Sequence, residues 1–358
     1  MKNLGITEEL IQESKKYEDL FIGRVSSQSK RIYKVVTKKG MMIAEVSGKY
    51  HHDVTEASEY PAVGDFVMID RIDDTQGNGI IHHVLPRKSM FVRKTAGNTE
   101  KSQIVATNID TVFICMSLNE DYNLRRLERY LSIAWDSNAT PVIVLTKSDL
   151  CDDIDSKLTE IYSIAIGVDV LVTTSTYEEG YQSLVHYLSK GQSVAFIGSS
   201  GVGKSTLINR LIGRDVLETK EIRNNDKGRH TTTSRELFML PDLGVVIDTP
   251  GMRELGIIQA DLTKTFSDID ELAKDCKFND CTHKHEPNCA VRKAINEGLL
   301  TKERLENYWK LEKEAKYDSL DSRRIEIEKI ADMFGSLSDM KNFRKFNKAK
   351  NKKRKDNF

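Results

Sequence analysis

Two hydrophobic patterns divide the chain. From about Phe21 to Thr95, short β-favouring runs (RIYKVVT, MMIAEVS, DFVMIDRI, GIIHHVLP) alternate with turn signals at Gly40, Gly48, Pro61, Gly64 and TQGNG. About five short strands in that length predict a small barrel of the OB-fold type, although an SH3-like barrel would read much the same. After Asn98, apolar runs at Ile109 to Met116, Pro141 to Leu145 and Val168 to Val172 are separated by the helical stretches LRRLERYLSIAW and IDSKLTEIYSIAIG, and two further runs, SVAFIG and GVVIDT, follow before about Leu255. Strands alternating with helices predict a parallel sheet covered on both faces. From about Asp261 the pattern is helical and polar, and no internal repeat is visible.

The expected architecture is therefore multidomain α/β: an N-terminal segment and barrel over 1–97, an α/β domain over 98–258, a helical domain over 259–340 and a tail over 341–358. Lys plus Arg and Asp plus Glu number 54 each, so overall charge points to no nucleic-acid or membrane partner. Local charge differs, because Lys341 to Lys355 (KNFRKFNKAKNKKRK) is strongly basic with Phe343 and Phe346 interleaved, which suits nucleic acid or a solvated end. The five cysteines, an odd number, and an N-terminus without an apolar signal core favour a reducing cytoplasm. Apolar runs fall far short of the roughly 20 residues of a spanning helix, so no membrane partner is expected.

Gly198, Ser199, Ser200, Gly201, Val202, Gly203, Lys204, Ser205 and Thr206 read GSSGVGKST, the G-x-x-x-x-G-K-[ST] phosphate loop, between an apolar run and a helix that ends at Gly213. Glycines let backbone N–H groups turn onto phosphate oxygens at a helix N-terminus. Lys204 is expected to reach the β and γ phosphates, and Ser205 to hold Mg²⁺. Asp248 to Gly251 read DTPG at the end of an apolar run; Asp248 suits Mg²⁺ through water, and the Gly251 N–H suits the γ-phosphate. Between them, KGRHTTTS offers Thr231, Thr232 and Thr233 as Mg²⁺ ligands, with Thr232 the working choice.

Guanine differs from adenine in presenting N1–H and an N2 amine, two donors that one carboxylate accepts together. Thr146, Lys147, Ser148 and Asp149 end the run PVIVL and fit [N/T]-K-x-D, with Asp149 as acceptor and the Lys147 stem over the base. The tetrapeptide alone is weak, but the C-terminal end of a strand is where open parallel sheets bind ligands. Thr174 and Ser175, after VDVLV, are expected to offer a backbone N–H to guanine O6. No [N/T]-K-x-D follows the phosphate loop, so the motif order is that of a G domain circularly permuted, which preserves the site while moving the termini.

Cys276-x₄-Cys281-x-His283-x₅-Cys289 is a Cys₃His set suited to one structural Zn²⁺; His285 rivals His283, and free thiols or redox disulfides are the alternatives.

Taken together, GSSGVGKST, GRHTTT, DTPG, the upstream TKSD and the Cys₃His set resemble the bacterial ribosome small-subunit-dependent GTPase family RsgA, also called YjeQ or YloQ, over nearly the whole chain. The resemblance implies an OB-fold, a permuted GTPase and a zinc domain, with binding to the 30S subunit during its late maturation and GTP hydrolysis to GDP stimulated by the ribosome. It implies the 30S subunit and its 16S rRNA as partners of a monomeric chain. Thr146 stands where many GTPases have asparagine, and TTSTYEEG replaces the usual Ser-Ala pair. Met252 occupies the place of the water-orienting glutamine of Ras-like enzymes, and the family suggests His230 for that role, with Lys204 as the other catalytic group. Other readings are an RNA-binding switch that hydrolysis only resets, and a P-loop ATPase or kinase, against which TKSD argues.

Overall fold

The computed structural model describes residues 1–94, 102–119, 121–217, 235–240, 242–249 and 262–318. After helix α1 (Glu8–Ser14), strands β1 (Phe21–Ser29), β2 (Ile32–Val36) and β3 (Met41–Val46) form a meander, and helix α2 (Gly48–Asp53) leads to β4 (Phe66–Ile69) and β5 (Gly79–Val84). Pairing runs β1-β2-β3-β5-β4, and β4 returns to β1, closing the barrel. Only β3 and β5 are parallel. A simple meander would set β4 beside β3, so this order is the Greek-key closure of an OB-fold and decides against the SH3-like alternative. Alternate residues fill the interior: Tyr33 and Val35 from β2, Met42 and Ala44 from β3, with Val25, Val67, Ile69 and Ile81. The longest strand, β1, was absent from the apolar runs because its second half is Ser-Ser-Gln-Ser; pairing on both sides sustains it.

An antiparallel pair, β6 (Met90–Lys94) and β7 (Ser102–Thr107), leads into the central sheet. There β8 (Thr111–Ser117), helix α3 (Leu124–Asp136), β9 (Thr140–Thr146), helix α4 (Ile154–Tyr162), β10 (Asp169–Val172), β11 (Ser193–Ile197), helix α5 (Lys204–Ile212), β12 (Glu236–Met239) and β13 (Val245–Asp248) follow in turn. The order is β10-β9-β8-β11-β13-β12, parallel except for β12. Strand β8 shows why both faces are covered. Val112, Ile114 and Met116 enter the cluster that holds α3 residues Leu127 and Leu131, whereas Phe113 and Cys115 enter the one that holds Leu207 and Ile208 of α5.

Barrel and central sheet are continuous, because Ser27 of β1 pairs with Glu236 of β12. Arg24 pins the same junction. Its buried guanidinium donates to the Gly64 carbonyl (3.1 Å), the Asn108 carbonyl (3.1 Å), Ser193 Oγ (2.9 Å) and the Leu4 carbonyl, and lies over the Phe66 ring. Burial lowers its pKa to about 10, against the opposing charges of Asp110 and Asp65. The barrel is thus fixed to the first residue of β11, the strand that delivers the phosphate loop.

Helices α6 (Ser267–Ala273), α7 (Ala290–Asn296) and α8 (Lys302–Asp318) form the C-terminal module. Its Phe266, Ile269, Val291, Leu305 and Leu311 share a core with α3. Among the described residues, no helix is long and apolar enough to cross a membrane.

Candidate functional site

The C-terminal ends of β8, β9, β10, β11 and β13 lie on one edge of the parallel sheet, so the motifs that follow them converge. Gly198 leaves β11 at φ 144°, and a Cβ there would come within 2.4 Å of the Cys115 carbonyl oxygen, so the loop passes against β8 only because this residue has no side chain. Gly201 (φ 84°) and Gly203 (φ 97°) are left-handed, and Gly203 caps α5. Lys204 is buried, its Nζ donating to the carbonyls of Gly198 (2.8 Å) and Ser199 (2.7 Å). Ser205 and Thr206 are half-buried in the first turn of α5.

Two bonds join the end of β9 to this loop. The Thr146 hydroxyl donates to the Val202 carbonyl (2.5 Å), and Lys147 Nζ donates to the Gly201 carbonyl (2.8 Å). Lys147 is left-handed (φ 56°) and starts the single turn Ser148–Leu150 that presents an exposed Asp149. The Thr174 hydroxyl donates to Asp149 Oδ1 (2.5 Å), orienting the carboxylate. The expected base contact from the backbone of Thr174 and Ser175 narrows to Ser175, because the Thr174 N–H donates to the Gly180 carbonyl (3.0 Å). Threonine in place of asparagine at 146 keeps a donor to the phosphate loop.

Asp248 ends β13 in register with Phe196 of β11, and the Thr249 hydroxyl donates to the Phe196 carbonyl (2.5 Å). Burial pushes the Asp248 carboxyl above the ordinary range, while the positive charge of Lys204 acts in the opposite sense. A buried carboxylate and a hydroxyl at the phosphate end are hard oxygen donors of the kind that suit Mg²⁺. Gly251, Met252, His230, Thr231, Thr232, Thr233 and the basic tail lie outside the described residues.

One contact escaped the sequence reading. The Ser199 hydroxyl donates to Asp121 Oδ2 (2.5 Å), and Asp121 also pairs with Arg126 (2.9 Å). An acidic residue just past the end of β8, the strand beside β11, was the available signal.

The second cluster brings Cys276, Cys281, His283 and Cys289 together, with all four donor atoms within 4.8 Å of one another. Cys276 Sγ is 3.8 Å from Cys289 Sγ, and His283 Nδ1 is 3.7 Å from the Cys276 sulfur and 3.4 Å from that of Cys289. Tetrahedral zinc with its usual bond lengths requires edges of about 3.8 Å between sulfurs and about 3.6 Å between sulfur and nitrogen. The donor set, and the spacing of Cys276, His283 and Cys289, therefore fit zinc, with His283 presenting Nδ1 from a left-handed backbone (φ 61°). His285 is exposed, its backbone N–H donating to Glu286.

Comparison with known proteins agrees with this geometry. The family model described as RsgA GTPase matches residues 84–258. The chain is 50% identical to small ribosomal subunit biogenesis GTPase RsgA 2 of Lactiplantibacillus plantarum over 94% of this chain and 95% of that protein. It is 41% identical to the RsgA of Methanosarcina acetivorans over 96% and 93%. Among solved structures, YjeQ from Thermotoga maritima superposes with a TM-score of 0.62 at 27% identity, covering 83% of this chain and 98% of that one. YloQ, described as a circularly permuted GTPase, shares the fold with a TM-score of 0.58 at 24% identity over 85% and 98%.

Proposed function

The chain belongs to the RsgA GTPase family, and from that premise we propose how its residues bind and hydrolyse GTP and on what assembly they act. Asp149 accepts from guanine N1–H and N2–H₂, the Lys147 stem covers the base, and the Ser175 N–H meets O6. The observation that best supports this reading is the pair of bonds from Thr146 and Lys147 to the carbonyls of Val202 and Gly201. They hold base reader and phosphate loop as one unit, although the first precedes the second in the chain.

Backbone N–H groups from Gly198 to Thr206 surround the phosphates, and Lys204 moves from its loop carbonyls to the β and γ oxygens. Water attacks the γ-phosphorus, the bond to the bridging oxygen breaks, and GDP and phosphate leave. Lys204 and the loop N–H groups stabilise the charge that gathers on the β-phosphate. Ser205, Asp248 and one switch threonine, Thr232 in our assignment, would hold Mg²⁺, which when bound withdraws charge from the same oxygens. His230 is assigned to orient the water and Gly251 to contact the γ-phosphate. Cys276, Cys281, His283 and Cys289 would hold Zn²⁺ in a closed, structural site.

The relatives' names identify them as small ribosomal subunit biogenesis GTPases. We assign this chain, as a cytoplasmic monomer, to late maturation of the 30S subunit, contacting 16S rRNA through the barrel, the C-terminal module and the basic tail. GTP turnover with and without purified 30S and 50S subunits tests it. The 30S particle should accelerate hydrolysis and the 50S should not; an unchanged rate with 30S would remove the ribosomal assignment while leaving the GTPase.

A further inference from the structure

We propose that α3 links the phosphate loop to the C-terminal module, with Asp121 as a positioning residue at one end and the Glu128–Arg304 ion pair at the other. The inference rests on the guanine-nucleotide reading of the phosphate loop. It assigns that loop a connection separate from residues 250–261, which join β13 to the C-terminal module along the chain.

Ser199 is held from two sides. Its hydroxyl donates to Asp121, and its carbonyl accepts from Lys204 Nζ. A triphosphate draws the ammonium away from that carbonyl and brings negative charge to a loop already facing the Asp121 carboxylate. Part of that repulsion is offset by Arg126, paired with Asp121 at 2.9 Å. Asn123 caps α3 by accepting from the Arg126 N–H (3.0 Å), so Asp121, Asn123 and Arg126 form one unit at the start of the helix. A shift of Ser199 therefore acts on the end of a regular helix, a stiff element.

Farther along α3, Glu128 is fully buried and accepts from Arg304 Nη1 (2.8 Å), from Arg125 Nη1 (2.8 Å) and from Asn307. Arg304, itself 3% exposed, forks onto both oxygens of Asp268 (2.6 and 2.7 Å), donates to the Thr265 carbonyl (2.9 Å) and lies over the Phe266 ring. Arg129 makes a two-pronged pair with Glu314 at 2.6 Å, and the Ser132 hydroxyl meets Thr265 Oγ1. Separating buried, hydrogen-bonded ions leaves uncompensated charge, so α3 and α8 move together more readily than apart. At the far end, Trp309 Nε1 of α8 donates to the carbonyl of Thr282, the neighbour of His283. A hydrogen-bonded path thus runs from Ser199 through α3 and α8 to the cysteine and histidine cluster. By linkage, a nucleotide that shifts α8 is in turn sensed by whatever holds α8.

The test uses the full-length protein, with affinities for GDP and a non-hydrolysable GTP analogue measured beside hydrogen exchange over 302–316. In wild type, nucleotide should change exchange in α8. Compared at saturating nucleotide, Ser199→Ala and Asp121→Ala should lose most of that change, and Ser199→Thr, which keeps the hydroxyl, should retain it. Glu128→Gln, from the opposite end, should alter the ratio of analogue to GDP affinity by about fivefold or more, and adding Ser199→Ala should have little further effect. An undiminished response of α8 in Ser199→Ala, or additive effects in the double variant, would overturn the link. So would a wild type that binds nucleotide with no response in α8. A wild type that fails to bind guanine nucleotides would instead defeat the reading on which the link rests.

Discussion

The cluster residues lie between Cys276 and Cys289, within one short segment, whereas the groups proposed to hold nucleotide come from 146–149, 174–175, 198–206 and 248 and meet only because five parallel strands end on one edge. The cluster's geometry is set by a few turns and the metal it suits. At the nucleotide site geometry is set by sheet register, as where Phe196 aligns with Asp248. Two kinds of vulnerability follow: the local site should fail as a unit when its metal is removed, and the distributed site should survive that loss but respond sharply to single side chains.

The largest expected effect is therefore metal removal. Structural zinc contributes roughly 10–16 kcal/mol to the folding of small zinc domains. Chelation, or Cys281→Ser, should abolish exchange protection in α7 and α8 while guanine nucleotide still binds. Metal analysis of freshly purified protein should find one zinc per chain, and an absence of zinc would sink the assignment.

Next in size is Asp149→Asn, which sets an amide donor against the guanine N2 amine. GTP affinity should fall by roughly 10⁴ or more. Xanthine has a carbonyl at that position, so the variant should come to prefer XTP, whereas Lys204→Ala should weaken all triphosphates together. If Asp149→Asn still prefers GTP, the convergence of TKSD with the phosphate loop has another meaning.

The smallest effect concerns Asp248. Burial holds its folded-state pKa above the unfolded value. The stability it contributes is therefore fully present below the ordinary aspartate range and lost as pH rises through the raised value. Asp248→Asn should remove that loss, raising the stability of nucleotide-free protein at neutral pH while weakening Mg²⁺-dependent GTP binding. Thermal unfolding across a pH series decides it; a less stable variant at neutral pH would mean that attraction to Lys204 outweighs desolvation.

The contrast also governs what could be read in advance. The strand before GSSGVGKST, the helix after it and the apolar runs of the central sheet are local patterns, and they correspond to β11, α5, β8, β9, β10 and β13. Strands β1 and β12 carry no such local pattern. β1 is half polar and β12 is four residues long, and each is sustained by its neighbours on both sides. The Ser199–Asp121 contact and the Glu128–Arg304 pair join residues 78 and 176 positions apart, a separation no local pattern encodes.

By itself the sequence determined the chemistry on offer: a phosphate loop, a carboxylate suited to guanine, three thiols and a histidine, and the permuted order in which they occur. Those are statements about residue types at short spacing, where the backbone leaves few alternatives. Tertiary structure alone decided the closure of the barrel, because parallel pairing of β3 with β5 is a long-range event. It decided that His283 rather than His285 joins the cluster, because a left-handed residue turns one ring inward and leaves the other exposed. It also decided that Thr174 serves Asp149 with its hydroxyl while its N–H is taken by Gly180, because hydrogen-bond partners are assigned only once the chain has closed on itself.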